Sequence, residues 1–302
     1  ARKGRKITRD SGGRPIWQAV GDKTHPSSKG QVCIKGASVG ESLNKDRLRV
    51  PMMRDTLDQP FHEVSWEEAF SRITSEIQTS MRDLGPNAIC MYGSGQFQTE
   101  DYYLAQKLIK GCIGTNNFDA NSRLCMSSAE AGYSQSFGSD GPPCCYDDLE
   151  KTDCAFLIGT NTADCHPIVF NRLKKHHKKN KDVKLIVVDP RRTNTAKDAD
   201  LHLAIKPGTD IALMNGIAHL LIRGRSHDTV FIAYCTDDFA AYAQIGDQYP
   251  PERDAEICGN SVDDIEYAAR LWAEANNVLS LWSMGINQSS EGTAKERTII
   301  NL

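Results

Sequence analysis

Residues 153–200, "DCAFLIGTNTADCHPIVFNRLKKHHKKNKDVKLIVVDPRRTNTAKDAD", set the architecture of this chain. "DCAFLIG" is a short unbroken apolar run closed by a glycine, the pattern of a strand buried on both faces. The polar loop "TNTADCHP" follows it, and "IVFNRLKKHH" reads as a helix. "VKLIVVD" is the next strand and "PRRTNTAKDAD" the next loop. Strand, helix and strand in this order imply a parallel α/β sheet with right-handed crossovers.

The alternation continues on both sides. Downstream come a short strand "LHLAI", a turn "KPGTD", a helix "IALMNGIAHLLIR", a capped helix "SVDDIEYAARLWAEA" and a strand "VLSLWSMG". Upstream, "SWEEAFSRITSEIQTSMRDLG" opens with Ser65 and Glu68 in capping-box spacing. Trp66, Ala69, Phe70, Ile73, Ile77 and Met81 follow at helical spacing, and Gly85-Pro86 ends the run. "NAICMY" reads as a buried strand entering the turn "GSGQ", and "TEDYYLAQKLIKGCIG" as a second amphipathic helix. No internal repeat or low-complexity segment interrupts the pattern.

Composition narrows the classes of function. With 302 residues, the chain suits one large domain or two ordinary ones. Its 36 basic and 39 acidic side chains nearly balance, so nothing global points to nucleic acid or a membrane surface. No apolar run reaches the roughly 18 residues of a membrane span. The basic start "ARKGRKITRDSGG" lacks the apolar segment of a secretory signal. It also lacks an initiator Met, and the chain is expected to be a piece of a longer protein. None of the ten cysteines forms a C-x-x-C pair, which argues against a zinc ribbon or redox dithiol. Several lie in apolar runs, where Cys acts as a small hydrophobe. That favours a reducing, cytoplasmic compartment in which one or two thiols at most carry chemistry.

Four strands run into polar loops: Tyr92 into "GSGQ", Ile158 into "GTNTADC", Val188 into "DPRRT" and Trp282 into "SMGINQ". Ligands of open parallel sheets bind beyond the carboxyl ends of the strands, and these loops suit a large, polar, phosphorylated ligand. Gly159 permits close backbone approach. Asn161 and Thr162 offer hydrogen bonds where a helix begins. Asp189 can accept from a ribose hydroxyl or a purine edge, and Arg191 and Arg192 can grip phosphate or stack on a base. Asp210 can receive paired N–H donors such as those of guanine. The absence of G-x-G-x-x-G argues against ordinary NAD binding. A polar strand end before a helix cap is also common in α/β proteins without any ligand role.

"NSRLCMSSAEAG", residues 121–132, holds the thiol on which the function turns. Cys125 precedes a helix start and lies near Arg123 in sequence. Three roles are open: a core thiol, a ligand for a soft or high-valent metal, or a nucleophile with His166 or His202 as base.

The segment from "NSRLCMSSAEAGYSQSF" through "GTNTADCHPIVFNRL" closely resembles the molybdenum-ligand region of prokaryotic nitrate reductases of the dimethyl sulfoxide reductase superfamily. "VVDPRRTNTAKDADLHLAIKPGTDIALMNGIAHLLI" and "LSLWSMGINQSSEGTAKERTIINL" are similar to its cofactor segments, in the same order. "GDKTHPSSKGQVCIKGASVGESL" resembles the end of its iron–sulfur domain. The resemblance covers essentially the whole chain, and the ferredoxin-dependent assimilatory type of cyanobacteria fits best.

The resemblance implies a molybdenum bis(molybdopterin guanine dinucleotide) cofactor with Cys125 as thiolate ligand to the metal. It implies Cys33 as fourth ligand of a 4Fe–4S cluster, with the other three upstream of residue 1, and Lys35 on the electron path from cluster to pterin. Gln96 and Asn121 would bind pterin or pyrophosphate. Ile158, Gly159, Thr160, Asn161, Thr162, Ala163, Asp164 and Cys165 would cradle one dinucleotide. Val188, Asp189, Pro190, Arg191 and Arg192, with Gly208, Thr209 and Asp210, would hold its guanosine end. Met284 and Gln288 would approach the metal or the second pterin. Later cofactor segments and a substrate-funnel arginine would lie beyond residue 302. The implied domains are an iron–sulfur remnant at 1–49, an α/β domain at 50–125 continued by 278–302, and a Rossmann-like dinucleotide-binding domain at 126–277.

The implied reaction reduces nitrate to nitrite with electrons from ferredoxin. Formate dehydrogenases of the superfamily typically place a histidine after the ligand; Met126 favours nitrate. A formate dehydrogenase, or a non-catalytic scaffold of the same fold, are the alternatives, and Cys125 and Lys35 speak against the scaffold. The lysines of "RLKKHHKKNKDVK" form either a ferredoxin-docking face or a solvated helix end. Asp147, Asp148 and Glu150 suit a turn or cap better than a cation site.

Overall fold

In the computed structural model, residues 5–9, 12–13, 15–42 and 47–302 are described. The start of the basic N-terminal segment lies outside them. The chain divides into two units, one of residues 1–20 and 34–124, the other of residues 21–33 and 125–302.

The first unit pairs β1 (Arg5–Arg9) with β2 (Pro15–Gln18) antiparallel, followed by α1 (Ile34–Ser42). A two-residue ladder joins β3 (Met52–Met53) and β4 (His62–Glu63). Helix α2 (Trp66–Leu84) starts where the capping box predicts, with the Ser65 hydroxyl accepting from the Glu68 N–H at 3.1 Å. Its apolar stripe of Trp66, Phe70 and Ile73 is exposed. Strand β5 (Met91–Gly93) is shorter than the buried strand expected over "NAICMY": Cys90 and Tyr92 are exposed, and only Gly93 is buried. Helix α3 (Thr99–Gln106) runs into a π-helical turn over Lys107–Ile113. Strand β6 (Phe118–Ala120) then pairs with β5 in parallel, and α4 (Ser122–Cys125) is a single turn.

The second unit is built on a four-stranded parallel sheet. In chain order its elements are α5 (Ser127–Phe137), β7 (Cys154–Ile158), α6 (Thr162–Cys165), α7 (Pro167–Lys179), β8 (Lys184–Val188), β9 (Leu201–Leu203) and α8 (Asp210–Arg223). They continue as α9 (Thr229–Cys235), α10 (Phe239–Gly246), α11 (Pro251–Cys258), α12 (Val262–Glu274), β10 (Val278–Trp282), α13 (Met284–Asn287) and α14 (Gly292–Ile300). The strand order is β10-β7-β8-β9, with Ile158 opposite both Trp282 and Val188. All five residues of β7 are fully buried, as a central strand covered by helices on both faces requires. One face packs Phe156, Ile186, Leu213, Ile217 and Ile265 under α8 and α12, and the other packs Leu157, Leu185, Phe170 and Leu173 under α7.

The expectation that residues 278–302 continue the 50–125 domain is corrected here. Val278–Trp282 adds to β7 in parallel register, and α14 packs on α5 and α8. An apolar strand joins whichever sheet edge completes its hydrogen bonds, and that edge belongs to β7.

Candidate functional site

Because β7, β8 and β10 are parallel, the loops after Ile158, Val188 and Trp282 emerge at one edge of the sheet. Two glycines let the first and third meet. The Gly285 N–H donates to the Gly159 carbonyl at 3.0 Å, and a Cβ on Gly285 would lie 2.7 Å from that oxygen. Gly159 has φ +59°, a left-handed conformation that side chains resist.

Cys125 reaches this junction. Its Sγ lies 3.5 Å from Sδ of Met284, the first residue of α13. The thiol is half-buried, neither a sealed core group nor a free surface one. Two bonds fix the start of α5 to the same loop: the Ser128 hydroxyl donates to the Asn287 carbonyl at 2.9 Å, and the Ala129 N–H donates to Asn287 Oδ1 at 3.1 Å. Asn287 is itself buried and donates to the Ser283 carbonyl. A hollow of about 400 Å³ adjoins this lock, lined by Ser128, Ser290, Gly292, Thr293 and Arg297. Gln288 is exposed beside it.

The loops after β7 and β8 are stitched by hydroxyl and amide side chains and by the carboxylate of Asp164. The Thr195 hydroxyl donates to Asn161 Oδ1 at 3.0 Å and accepts from the Ala163 N–H at 2.9 Å. Thr160 and Thr162, both buried, share a 3.0 Å hydroxyl contact. Amide donors of Asn194 and Asn161 hold the Asp164 carboxyl below its ordinary range. Thr193, Asn194 and Thr195 were missed by sequence reasoning. The signal was present: the motif Thr-Asn-Thr-Ala stands at the end of both strands, at 160–163 and 193–196.

Asp189 is buried, its Oδ1 accepting from the Arg191 N–H at 2.8 Å, while Arg191 and Arg192 are exposed at the loop tip. Pro190 and Cys165 are exposed as well. Gly208 has φ +90° with open space about its α-carbon, and the Thr209 hydroxyl donates to the Lys206 carbonyl. Asp210 is committed inward: Lys295 of α14 lies 2.6 Å from its Oδ2, and both side chains are almost fully buried. The sequence reading did not anticipate that pair.

The histidines considered as bases have other settings. His202 Nε2 lies 2.9 Å from the Asp189 carbonyl, and His166 is exposed. Asp147 and Glu150 bind the buried Arg172 at 2.7 and 2.9 Å, and Asp148 caps the turn at Cys145. Arg172 also donates to the Ser27 carbonyl at 3.0 Å, which ties the segment ending at Cys33 to this unit. A second hollow, about 550 Å³, lies beside these groups. Asp147–Lys151 leads into the amino end of β7, so that hollow is at the opposite edge of the sheet from the strand-end loops. At the basic helix end Lys174 pairs with Asp198 and His177 with Asp200, while Lys175, Lys178 and Lys179 are exposed.

In the first unit, Gln96 and Asn121 follow the paired strands β5 and β6. A Cβ on Gly95 would lie 2.1 Å from Asn121 Oδ1, so a side chain there would displace the Asn121 amide. Both side chains are exposed, as is Lys35, the second residue of α1; Cys33 is half-buried.

The geometry brings a half-buried thiol beside a thioether, at a glycine junction where two strand-end loops meet. Among the described residues no three His, Cys, Asp or Glu side chains gather as a metal cage. The chain belongs to the molybdopterin oxidoreductase family, whose profile matches residues 47–302. The cofactor implied by that family is molybdenum held by molybdopterin, and the thiol, the loops and the glycine cradle fit it.

Among its relatives is a nitrate reductase of Synechocystis sp., 64% identical over 282 residues, 93% of this chain and 40% of that protein. The periplasmic nitrate reductase of Desulfovibrio desulfuricans is 41% identical over 283 residues, 90% of this chain and 38% of that protein. Formate dehydrogenase H of Escherichia coli is 34% identical, over 91% of this chain and 39% of that enzyme. The solved acetylene hydratase of Pelobacter acetylenicus superposes with a TM-score of 0.79 at 24% identity, covering 96% of this chain and 40% of that one, a likeness of fold. The chain thus spans about two fifths of the length of these relatives. Among the described residues no helix is long and apolar enough to cross a membrane.

Proposed function

We propose that the chain is the cofactor-binding core of a nitrate reductase that carries molybdenum bis(molybdopterin guanine dinucleotide). The observation that carries this reading is the approach of Cys125 to Met284 at the carboxyl edge of the parallel sheet. The identity to nitrate reductases across nine tenths of the chain supports nitrate as substrate. When bound, the cofactor supplies two-electron oxygen-atom transfer; the protein supplies ligation, orientation and charge.

Cys125 gives the metal one soft sulfur. The Ser128–Asn287 lock fixes that sulfur relative to Met284. The segment 158–165, closed by Thr195, presents backbone groups to one pyrophosphate. Arg191 and Arg192 add positive charge where a nucleotide phosphate lies. Asp189, Gly208 and Thr209 line the guanosine end, with Asp210 held behind them by Lys295. Cys33 completes a 4Fe–4S cluster whose other ligands come from outside this chain, and Lys35 stands on the electron path from it. Gln96 and Asn121 bind pterin or pyrophosphate. Reduced ferredoxin is the donor, and the enzyme serves cytoplasmic nitrate assimilation.

The test is anaerobic purification of the full natural polypeptide, metal and pterin analysis, and assays of nitrate against formate with reduced ferredoxin. Molybdenum with guanylated pterin and nitrate turnover are expected. A metal-free protein, or turnover of formate alone, rejects the reading. Cys125→Ser replaces a soft ligand by a hard one at nearly constant volume, and nearly all nitrate reduction should be lost. Turnover in that variant equal to wild type overturns the ligand role.

A further inference from the structure

Glu296 is alone among the described carboxylates in having both oxygens buried and without a hydrogen bond of good geometry, the Trp282 indole being a donor close enough to act on it. Its exposure is 0%. An ionised carboxylate in such a place is strongly disfavoured, and a side chain serving only to fill space would be apolar. The fold makes room for it: a Cβ on Gly132 of α5 would lie 2.9 Å from Glu296 Oε2. Gly132 lies seven positions beyond Cys125, on the helix that follows it. On the other side stands Trp282, two residues before Met284, whose ring packs 5.7 Å from that of Tyr133. The helix that follows Cys125 and the strand that precedes Met284 therefore flank Glu296.

We propose that Glu296 is a positioning residue that exchanges a proton in step with electrons at the site beside Cys125. When the site gains negative charge, the carboxylate takes a proton from solvent and becomes a neutral acid. When that charge leaves, the O–H bond breaks, the electron pair stays on the carboxylate and the proton is released. Glu296 itself is neither oxidised nor reduced. The electrons are those of the reductase reaction, in which nitrate, two electrons and two protons give nitrite and water, so the inference rests on the reading above.

The surrounding groups leave this role to Glu296. On α5, burial and the neighbouring Glu296 push the Tyr133 phenol up to about 12, so it stays neutral, and Glu130 is exposed. On α14, Lys295 is committed to Asp210 of α8. The other titratable groups of α8, His219 and Arg223, lie at its far end beside Asp247. Helix α13 carries none, and the indole of Trp282 does not titrate. Burial pushes the Glu296 carboxyl up to about 7, and the nearby Trp282 indole pulls it back down.

The experiment is a redox titration of the molybdenum signal in the holoenzyme from about pH 5 to about pH 9, across the range in which a carboxyl so raised ionises. The wild-type midpoint potential should change slope near neutrality. Glu296→Gln should abolish that change, and Trp282→Phe should move it to higher pH by removing the indole. An unchanged break in Glu296→Gln, or a wild-type potential with no break, overturns the inference. If the glutamine variant does not fold, Trp282→Phe and the infrared carboxyl band of the wild type still decide. A break that stays put in Trp282→Phe, or a band that does not titrate, is equally fatal. Failure of the reductase reading shows separately, as wild-type protein without molybdenum or pterin.

Discussion

Replacing Glu296 by Gln should stabilise the fold in alkaline solution relative to acid. The carboxyl has an ordinary pKa of 4.5 and is raised to about 7 by burial. For an acid raised in the folded state, stability is fullest below the unfolded value, where both states hold the proton. It falls as pH climbs from 4.5 towards 7, because the unfolded chain ionises while the fold retains its proton. Above that window the penalty is constant. A difference of about 2.5 units at about 1.4 kcal/mol each amounts to about 3.5 kcal/mol. Glutamine never ionises, so its own cost of burial is independent of pH and cancels when the two pH values are compared. Tyr133 titrates only at about 12, outside the window. The assay is guanidinium unfolding of wild type and Glu296→Gln at about pH 5 and about pH 8.5, on either side of the transition. Because the unfolded carboxyl has begun to ionise by about pH 5, the variant should gain about 2.5 kcal/mol on wild type between the two. A gain below about 0.5 kcal/mol, the scatter of independent sites, refutes the argument from burial.

Two further substitutions probe the frame. Arg172→Ala removes a buried guanidinium bonded to Asp147, Glu150 and the Ser27 carbonyl. Its carboxylate partners are exposed, so no buried charge is left behind and the loss should be about 1–3 kcal/mol, from the hydrogen bonds of the buried guanidinium; denaturant unfolding reads it, and proteolysis within residues 21–33 should quicken. Gly285→Ala forces a methyl group to 2.7 Å from the Gly159 carbonyl. The overpacking should cost about 1–3 kcal/mol and lower the pterin retained per mole of protein, measured by fluorescence after release.

The sheet was legible because its central strands are apolar on both faces and run into Gly159 and Asp189-Pro190. "CAFLI" and "KLIVV" appear as strands at the residues where the apolar runs place them. The short strand at Met91–Gly93 was overread, because an apolar run shows that a segment can be buried, not that anything covers it. The partner of Val278–Trp282 was misassigned for a related reason. Periodicity identifies a strand, but which edge receives it depends on loop lengths and helix packing that no local pattern encodes. The polar loops were found, while their cross-links were not. Thr195 to Asn161, Ser128 to Asn287 and Lys295 to Asp210 join residues 34, 159 and 85 positions apart. Such pairs become neighbours only once the sheet order is known. Glu296 was invisible for the opposite reason: a glutamate near Lys and Arg in sequence reads as a solvated helix face.

The division of labour among these contacts bears on how the site holds an anionic ligand. The bonds that set the strand-end loops beside Cys125 are not ion pairs: Gly285 to Gly159, Ala129 and Ser128 to Asn287, and Ala163 and Asn161 to Thr195 join uncharged groups, and the Asp164 and Asp189 carboxylates accept from neutral N–H donors. Ionic strength screens ion pairs but leaves neutral, partly buried hydrogen bonds nearly unchanged. The frame is therefore indifferent to salt, and the exposed Arg191 and Arg192 are not needed to hold it. Their charge is available to a ligand. The charges that do serve the frame, Lys295 with Asp210 and Arg172 with Asp147 and Glu150, lie behind it or at the far edge of the sheet. Binding of a phosphorylated cofactor can thus weaken with salt through the two arginines while the thiol of Cys125 keeps its place.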